Sequence, residues 1–214
     1  MDNIVITVAR HYGSGGKTMG KMLAEDLGIN WYERDIIKMA SEDSGISEQL
    51  FNQADERLNK TPFFFGKSRT AEYTGNLISP KSSDFVSDQN LFNYQAKIIR
   101  ELAERESCVI IGRAADYVLK DYPNVVRVFV HASKEWCIQR TEEMGAYEGN
   151  SAEKYIEKMD KSRSDFYRYY TGQEWHDARN YDLCLNSECL GFEGTKEAIK
   201  EYIKVRFGKL PSGK

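Results

Sequence analysis

The stretch "ARHYGSGGKTMGKMLAEDLG", residues 9–28, decides the fold. Before it, "NIVITVA" (3–9) is apolar without alternation, the pattern of a strand buried on both faces. After it, Met19, Met22, Leu23 and Leu27 recur at helical spacing over residues 17–27, and Gly28 supplies the stop. Between strand and helix lie His11, Tyr12, Gly13, Ser14, Gly15, Gly16, Lys17 and Thr18. Such a joint turns several backbone N–H groups toward one point, and the helix N-terminus adds partial positive charge there. Glycines let the chain bend and approach an anion with no Cβ in the way. Lys17 can then reach the terminal phosphates of ATP, and Thr18 can offer its hydroxyl to Mg²⁺. The pattern G-x-x-x-x-G-K-[ST] is met except at its first glycine, where His11 stands. A glycine-rich turn with an accidental Gly-Lys-Thr is the plainer alternative.

The same alternation continues along the chain. "INWY" (29–32), "SCVIIG" (107–112), "VVRVFVHA" (125–132) and "YDLCLNS" (181–187) read as strands. Residues 34–41 read as a helix. Ser133 is placed to cap a helix running through Arg140, and Thr195 one ending near Gly208. Strands separated by helices predict a three-layer α/β fold, with a five-stranded parallel sheet and helices on both faces. Two regions exceed a simple crossover. Residues 43–105 contain a helix over 47–58, a loop-like stretch, and a helix over 88–105. Residues 141–180 contain a helix over 151–170, capped by Asn150 or Ser151. No linker divides the chain, so residues 1–214 are expected to form one domain whose two inserts could close over a ligand.

Composition sets the outer limits. The chain has 214 residues, 41% apolar and 29% charged, as in soluble globular domains. A net charge of −3 gives no general reason to expect nucleic acid as a partner. No apolar run is long enough for a signal sequence or a membrane span, so a cytoplasmic protein without a membrane partner is expected. Cys108, Cys137, Cys184 and Cys189 form no C-x-x-C, and Cys108 and Cys184 lie in apolar runs, which suggests buried reduced thiols. His11, His131 and His176 have no metal-ligand spacing.

Further candidates cluster at the carboxyl ends of the strands, where open α/β sheets bind ligands. Gly112-Arg113 follows the third strand, and Arg113 can hold a second anionic group or simply pair with Asp116. In the 151–170 helix, Ile156, Met159, Phe166 and Tyr170 form one stripe, and Arg163 stands where a fifth apolar residue is expected. A charge facing the protein must find an anion or stay on the rim. Asp160, three residues earlier, shares that face and can staple it, with Lys161 and Arg168 adding positive charge nearby. Arg140 could stabilise charge on a transferred phosphoryl group, or be a solvated helix residue. Glu33, Arg34 and Asp35 follow the second strand. Arg34 could hold a phosphate, and Asp35 a Mg²⁺-bound water or a substrate hydroxyl. "PFFF" (62–65) with Tyr73 could wall a base, seal a subunit contact or pin a loop.

Taken together, these features resemble the cytidylate kinase-like family of P-loop kinases. The resemblance covers most of the chain. It is strongest at "GSGGKTMGKMLAEDLGINWYERDII", at "CVIIGRAADYVL" and at the Asp160–Arg163 spacing. It implies the nucleoside monophosphate kinase fold, with an acceptor-binding insert and a helical lid. It also implies transfer of the γ-phosphoryl of ATP·Mg²⁺ to CMP or dCMP, small-molecule nucleotides being the only partners. By position, Gly13 to Thr18 would hold ATP, with Thr18 on the metal. Arg113, Asp160 and Arg163 would face the acceptor; the residue readings above add Arg34 and Asp35 to the acceptor side and make Lys17, Arg140 and Arg163 the catalytic candidates. Ala114 stands where cytidylate kinases carry an aspartate after the arginine. Two other readings remain open: a P-loop kinase for a hydroxyl acceptor, with Asp35 as base, and a non-catalytic nucleotide-binding regulatory protein. The sequence names neither the acceptor base nor the oligomeric state.

Overall fold

The computed structural model describes residues 3–60, 73, 75–145, 147, 149 and 151–213. "PFFF" and Asn150 lie outside the described residues. The strands are β1 (Val5–Arg10), β2 (Asn30–Tyr32), β3 (Cys108–Ile111), β4 (Val125–His131) and β5 (Leu183–Asn186). They form one sheet in the order β2-β3-β1-β4-β5, and every neighbouring pair is parallel. The central strand is buried on both sides, which is why it reads as an unbroken apolar run. Val8 pairs with both Ile111 and Val128, so β1, β3 and β4 present their carboxyl ends at one edge.

Helices cover both faces. On one, α1 (Gly16–Leu27) and α8 (Ser187–Phe207) bury Met19, Leu23, Ile199 and Ile203 against Ile6, Val8, Val109 and Val128. On the other, α2 (Asp35–Ser44), α3 (Glu48–Lys60), α4 (Asp88–Arg105) and the short α5 (Ala115–Val118) cover Val5, Ala9 and Ile110. Leu91, Phe92, Ile99 and Leu102 of α4 are fully buried. Each such side chain is worth about 1.5–3 kcal/mol relative to exposure. The remaining helices, α6 (Lys134–Met144) and α7 (Ala152–Thr171), stand over the carboxyl edge of the sheet. The Tyr170 ring of α7 stacks on Phe92 with centroids 4.0 Å apart, tying α7 to α4. Ser133 and Ser151 accept hydrogen bonds from Trp136 N and Lys154 N, as expected of caps. Among the described residues, no helix is long and apolar enough to cross a membrane.

Two local expectations are corrected. Thr195 does not cap the last helix: α8 starts at Ser187, where Asn186 accepts from Glu188 N and Cys189 N. Gly191 (φ 65°, ψ 175°) then breaks the helical path, and the Thr195 hydroxyl donates back to its carbonyl at 2.6 Å. The glycines at 191 and 194 hide this start from a periodicity argument. Cys184 is exposed because β5 is an edge strand, and Cys189, in the first turn of α8, is exposed too; Cys108 and Cys137 are buried.

Candidate active site

The loop leaves β1 at Arg10 and enters α1 at Gly16. Gly13 and Gly15 both sit at φ 79°, a left-handed conformation that penalises any Cβ. Space forbids one as well: a Cβ would meet Cys137 O at 2.7 Å from position 13, and the Phe192 ring at 2.2 Å from position 15. Ser14 is fully buried, and its hydroxyl donates to the carbonyls of His11 and Val130. Ser187 Oγ donates to the Ser14 carbonyl at 2.6 Å, pinning the loop from α8. Ser14 is thus a strut rather than part of the cavity wall. Gly15 is the N-cap of α1, so the helix N-terminus opens toward the ligand side.

His11 explains how a side chain is tolerated at the first position of the motif. Its ring turns away into an aromatic nest, edge-on to Phe129 (5.1 Å) and Trp175 (5.8 Å) and 5.2 Å from His176. Burial, and then the neighbouring histidines, push its pKa down to about 4, so it packs as a neutral ring.

The α7 stripe resolves in the same place. Asp160 Oδ1 accepts from Tyr12 N at 2.7 Å and from Arg163 Nη1 at 3.0 Å. Arg163 Nη1 also donates to the Arg10 carbonyl at 3.0 Å, and its guanidinium lies 5.4 Å from the centre of the Tyr12 ring. The missing apolar residue is therefore an arginine that buttresses the loop. Burial lowers the Arg163 pKa and raises that of Asp160, each opposed by the other's charge. Lys161 and Arg168 pair instead with Asp165 and Glu174 at the surface.

At the end of β3, Gly112, Arg113 and Ala114 all have positive φ, so the backbone is strained where it meets the cavity. Arg113 pairs with Asp55 of α3 and not with Asp116. Asp116 is buried and accepts from the Tyr167 hydroxyl at 2.6 Å, and burial pushes its pKa up to about 6. Lys17 Nζ lies 2.6 Å from Glu33 Oε2, and Arg10 Nη2 donates to Glu33 Oε1 at 2.7 Å. Burial acts to raise the Glu33 pKa, but the Lys17 hydrogen bond and the Arg10 charge outweigh it, and the net shift is downward.

Arg10, Lys17, Arg34, Arg113, Arg140 and Arg163 all line one cavity of 520 Å³ at the carboxyl edge of the sheet. The Arg140 guanidinium lies 4.9 Å from the centre of the Trp136 ring and 4.5 Å from that of Phe192. Asp35 is exposed in the first turn of α2 and is not part of the cavity lining. Sequence reasoning passed over Arg10, and it gave Asp55 and Glu33 no role. The available signal for Arg10 was a charge ending an otherwise apolar central strand. Thr18 is exposed and lines the same cavity as Lys17, and its hydroxyl is an oxygen donor of the kind a hard cation such as Mg²⁺ takes. Among the described residues, no group of three or more His, Cys, Asp or Glu side chains could hold a metal by themselves.

Known structures share this architecture. An uncharacterized protein from Eubacterium ventriosum is 25% identical, with a TM-score of 0.65 over 94% of this chain and 99% of that one. Shikimate kinase from Bacteroides thetaiotaomicron is 13% identical, with a TM-score of 0.54 over 94% of this chain and 98% of that one. A gluconokinase from Sinorhizobium meliloti is 15% identical, with a TM-score of 0.50 over 96% and 98%. The fold is that of the P-loop kinases. No curated protein matches the chain. The model of the cytidylate kinase-like family matches residues 5–189, from the first residue of β1 through the start of α8, and the chain belongs to that family.

Proposed function

We propose that the chain is an ATP-dependent phosphotransferase that moves the γ-phosphoryl of ATP to a nucleoside monophosphate, with CMP or dCMP the favoured acceptor. The observation that carries this reading is the single cavity shared by Lys17 of the loop and by Arg113 and Arg163, two arginines from distant parts of the chain. In the reaction, the amides of residues 13–18 and Lys17 hold the donor phosphates. Thr18 would hold Mg²⁺, which supplies charge neutralisation across the β- and γ-phosphates when bound. Arg113 and Arg163 orient the acceptor's phosphate, while Asp160 fixes Arg163 and the loop together. Arg140, packed against the Trp136 and Phe192 rings at the cavity, would stabilise the charge that develops on the transferred group. A phosphate acceptor arrives already anionic, so positioning and charge stabilisation suffice. Closure of the region around α3 and of the region around α7 would exclude water and suppress hydrolysis of ATP.

Transfer to a hydroxyl is the competing reading. A hydroxyl acceptor needs a base in the cavity. Asp35 lies outside it and Glu33 is held below the usual carboxylate range by Lys17 and Arg10, so a hydroxyl-acceptor reading would draw its base from Asp55, paired with Arg113, or from Asp116, whose pKa burial raises to about 6. The test is a coupled ATP-consumption assay across CMP, dCMP, UMP, AMP, GMP and dTMP, with shikimate and gluconate as hydroxyl controls. ADP release with CMP or dCMP well above the water background is expected. Release with the hydroxyl controls alone would overturn the reading.

A further inference from the structure

Two cations of the cavity, Arg10 and Lys17, share one carboxylate partner among the described residues. Arg113 has Asp55, and Arg163 has Asp160. Arg10 and Lys17 divide the single carboxylate of Glu33. Around the loop, then, four cations meet three carboxylates. Arg10 is also the most withdrawn of them from water at a point where it can still act. Its side chain is 14% exposed, yet it lines the cavity.

The geometry of its fork sharpens the point. Nη2 donates to Glu33, but the adjacent Nε is buried with no hydrogen-bond partner. Nε and Nη2 form the side-on edge of a guanidinium, the edge that grips two oxygens of a phosphate or carboxylate at once. Glu33 uses half of it and spends its other oxygen on Lys17. An unsatisfied donor on a buried cation is costly, and an incoming oxyanion would satisfy it. The backbone makes room for this arrangement. A Cβ at Gly112 would lie 2.3 Å from Arg10 Nη1, so the glycine before Arg113 is the floor on which the Arg10 guanidinium rests. Glu33 bridges Lys17 of the loop and Arg10 at the end of β1.

We propose that Arg10 grips the oxyanion group of the acceptor, and that Glu33 is the internal carboxylate which this group displaces. The inference rests on the phosphotransferase reading with an anionic acceptor, and it names the residue that receives that anion. Arg113 and Arg163 then act as flanking cations, while Arg10 supplies the bidentate contact. Glu33 is a placeholder: it keeps Arg10 and Lys17 compensated until substrates arrive, and it raises the threshold for adventitious anions.

The experiment measures inorganic phosphate and CMP binding by calorimetry, with a non-hydrolysable ATP analogue saturating the donor side. Steady-state kinetics are followed in parallel. Arg10→Lys keeps the charge and removes the fork, and it should weaken phosphate and CMP binding by about tenfold or more. The acceptor KM should rise in step, while the KM for ATP moves less than about threefold. Glu33→Gln removes the competing carboxylate, and it should tighten phosphate binding several-fold at low salt, an effect that fades as salt is added. A merely structural Arg10–Glu33 pair gives the opposite sign for Glu33→Gln, because loss of the strut weakens binding. That result, or wild-type phosphate affinity in Arg10→Lys, overturns the proposal. If no nucleoside monophosphate is turned over while phosphate binding follows the expected pattern, the anion site stands and the acceptor reading falls. If CMP is phosphorylated by Arg10→Lys with an unchanged KM, the kinase reading stands and the Arg10 assignment falls.

Discussion

The Asp160 carboxylate accepts a hydrogen bond from the backbone N–H of Tyr12 at 2.7 Å, across 148 residues of sequence. Helix α7 therefore holds the phosphate-binding loop by its backbone, near the point where the loop leaves β1. Asp160→Ala leaves that N–H without this acceptor and Arg163 without its carboxylate, though Arg163 keeps the Arg10 carbonyl, at a cost of about 1–3 kcal/mol. ATP affinity is expected to fall about tenfold, with a lower melting temperature. Asp160→Asn keeps an acceptor oxygen for Tyr12 N and should retain most of the ATP affinity. Equal losses in the two variants, measured by calorimetry, would show that charge and not backbone anchoring is what matters.

Lys17 is half exposed and pairs with Glu33, which keeps Arg10 as a partner when the lysine is removed. Lys17→Ala should thus leave the melting temperature nearly unchanged and lower transfer by at least about a hundredfold. Turnover near the wild-type rate would remove the loop from the mechanism.

Gly15 combines a left-handed φ with the Phe192 ring in the space of a Cβ. The conformational part of Gly15→Ala costs about 1–2 kcal/mol, and the ring clash adds to it. Phe192→Ala in the same chain relieves only the clash. Chemical denaturation of both single variants and the double variant should reveal coupling between the two positions. Simple additivity would mean that the ring moves aside freely.

His11 carries a sign that pH can read. Its folded pKa is near 4, below the ordinary value of 6.5, so the unfolded chain takes up the proton first. Its packing is therefore fully favourable above about pH 6.5 and is progressively lost as pH falls toward 4. His11→Gln, which does not titrate, should flatten the decline of melting temperature in that window. The same slope in both proteins would place the acid sensitivity elsewhere.

The order of strands and helices was legible because it is written in local repeats. The apolar run of β1, the Met19–Leu23–Leu27 stripe and the serine caps each report on neighbours a few residues away. Arg163 was legible as an anomaly on its helix, since a charge on an apolar stripe announces a partner without naming it. The start of α8 was not, because Gly191 breaks the period there. Nor was the exposure of Cys184, which depends on β5 being the edge of the sheet.

Sequence alone thus determined the strand–loop–helix joint and the parallel α/β sheet, and it singled out some of the residues that line the cavity at its carboxyl edge, among them Lys17, Arg113 and Arg163. Only the tertiary structure decided who pairs with whom: Arg113 with Asp55, Asp160 with the Tyr12 backbone, and Glu33 with both Lys17 and Arg10. The reason is physical. Periodicity follows from the geometry of one helix or strand, whereas the partner of a charge is chosen by packing among carboxylates that the chain brings together from far apart.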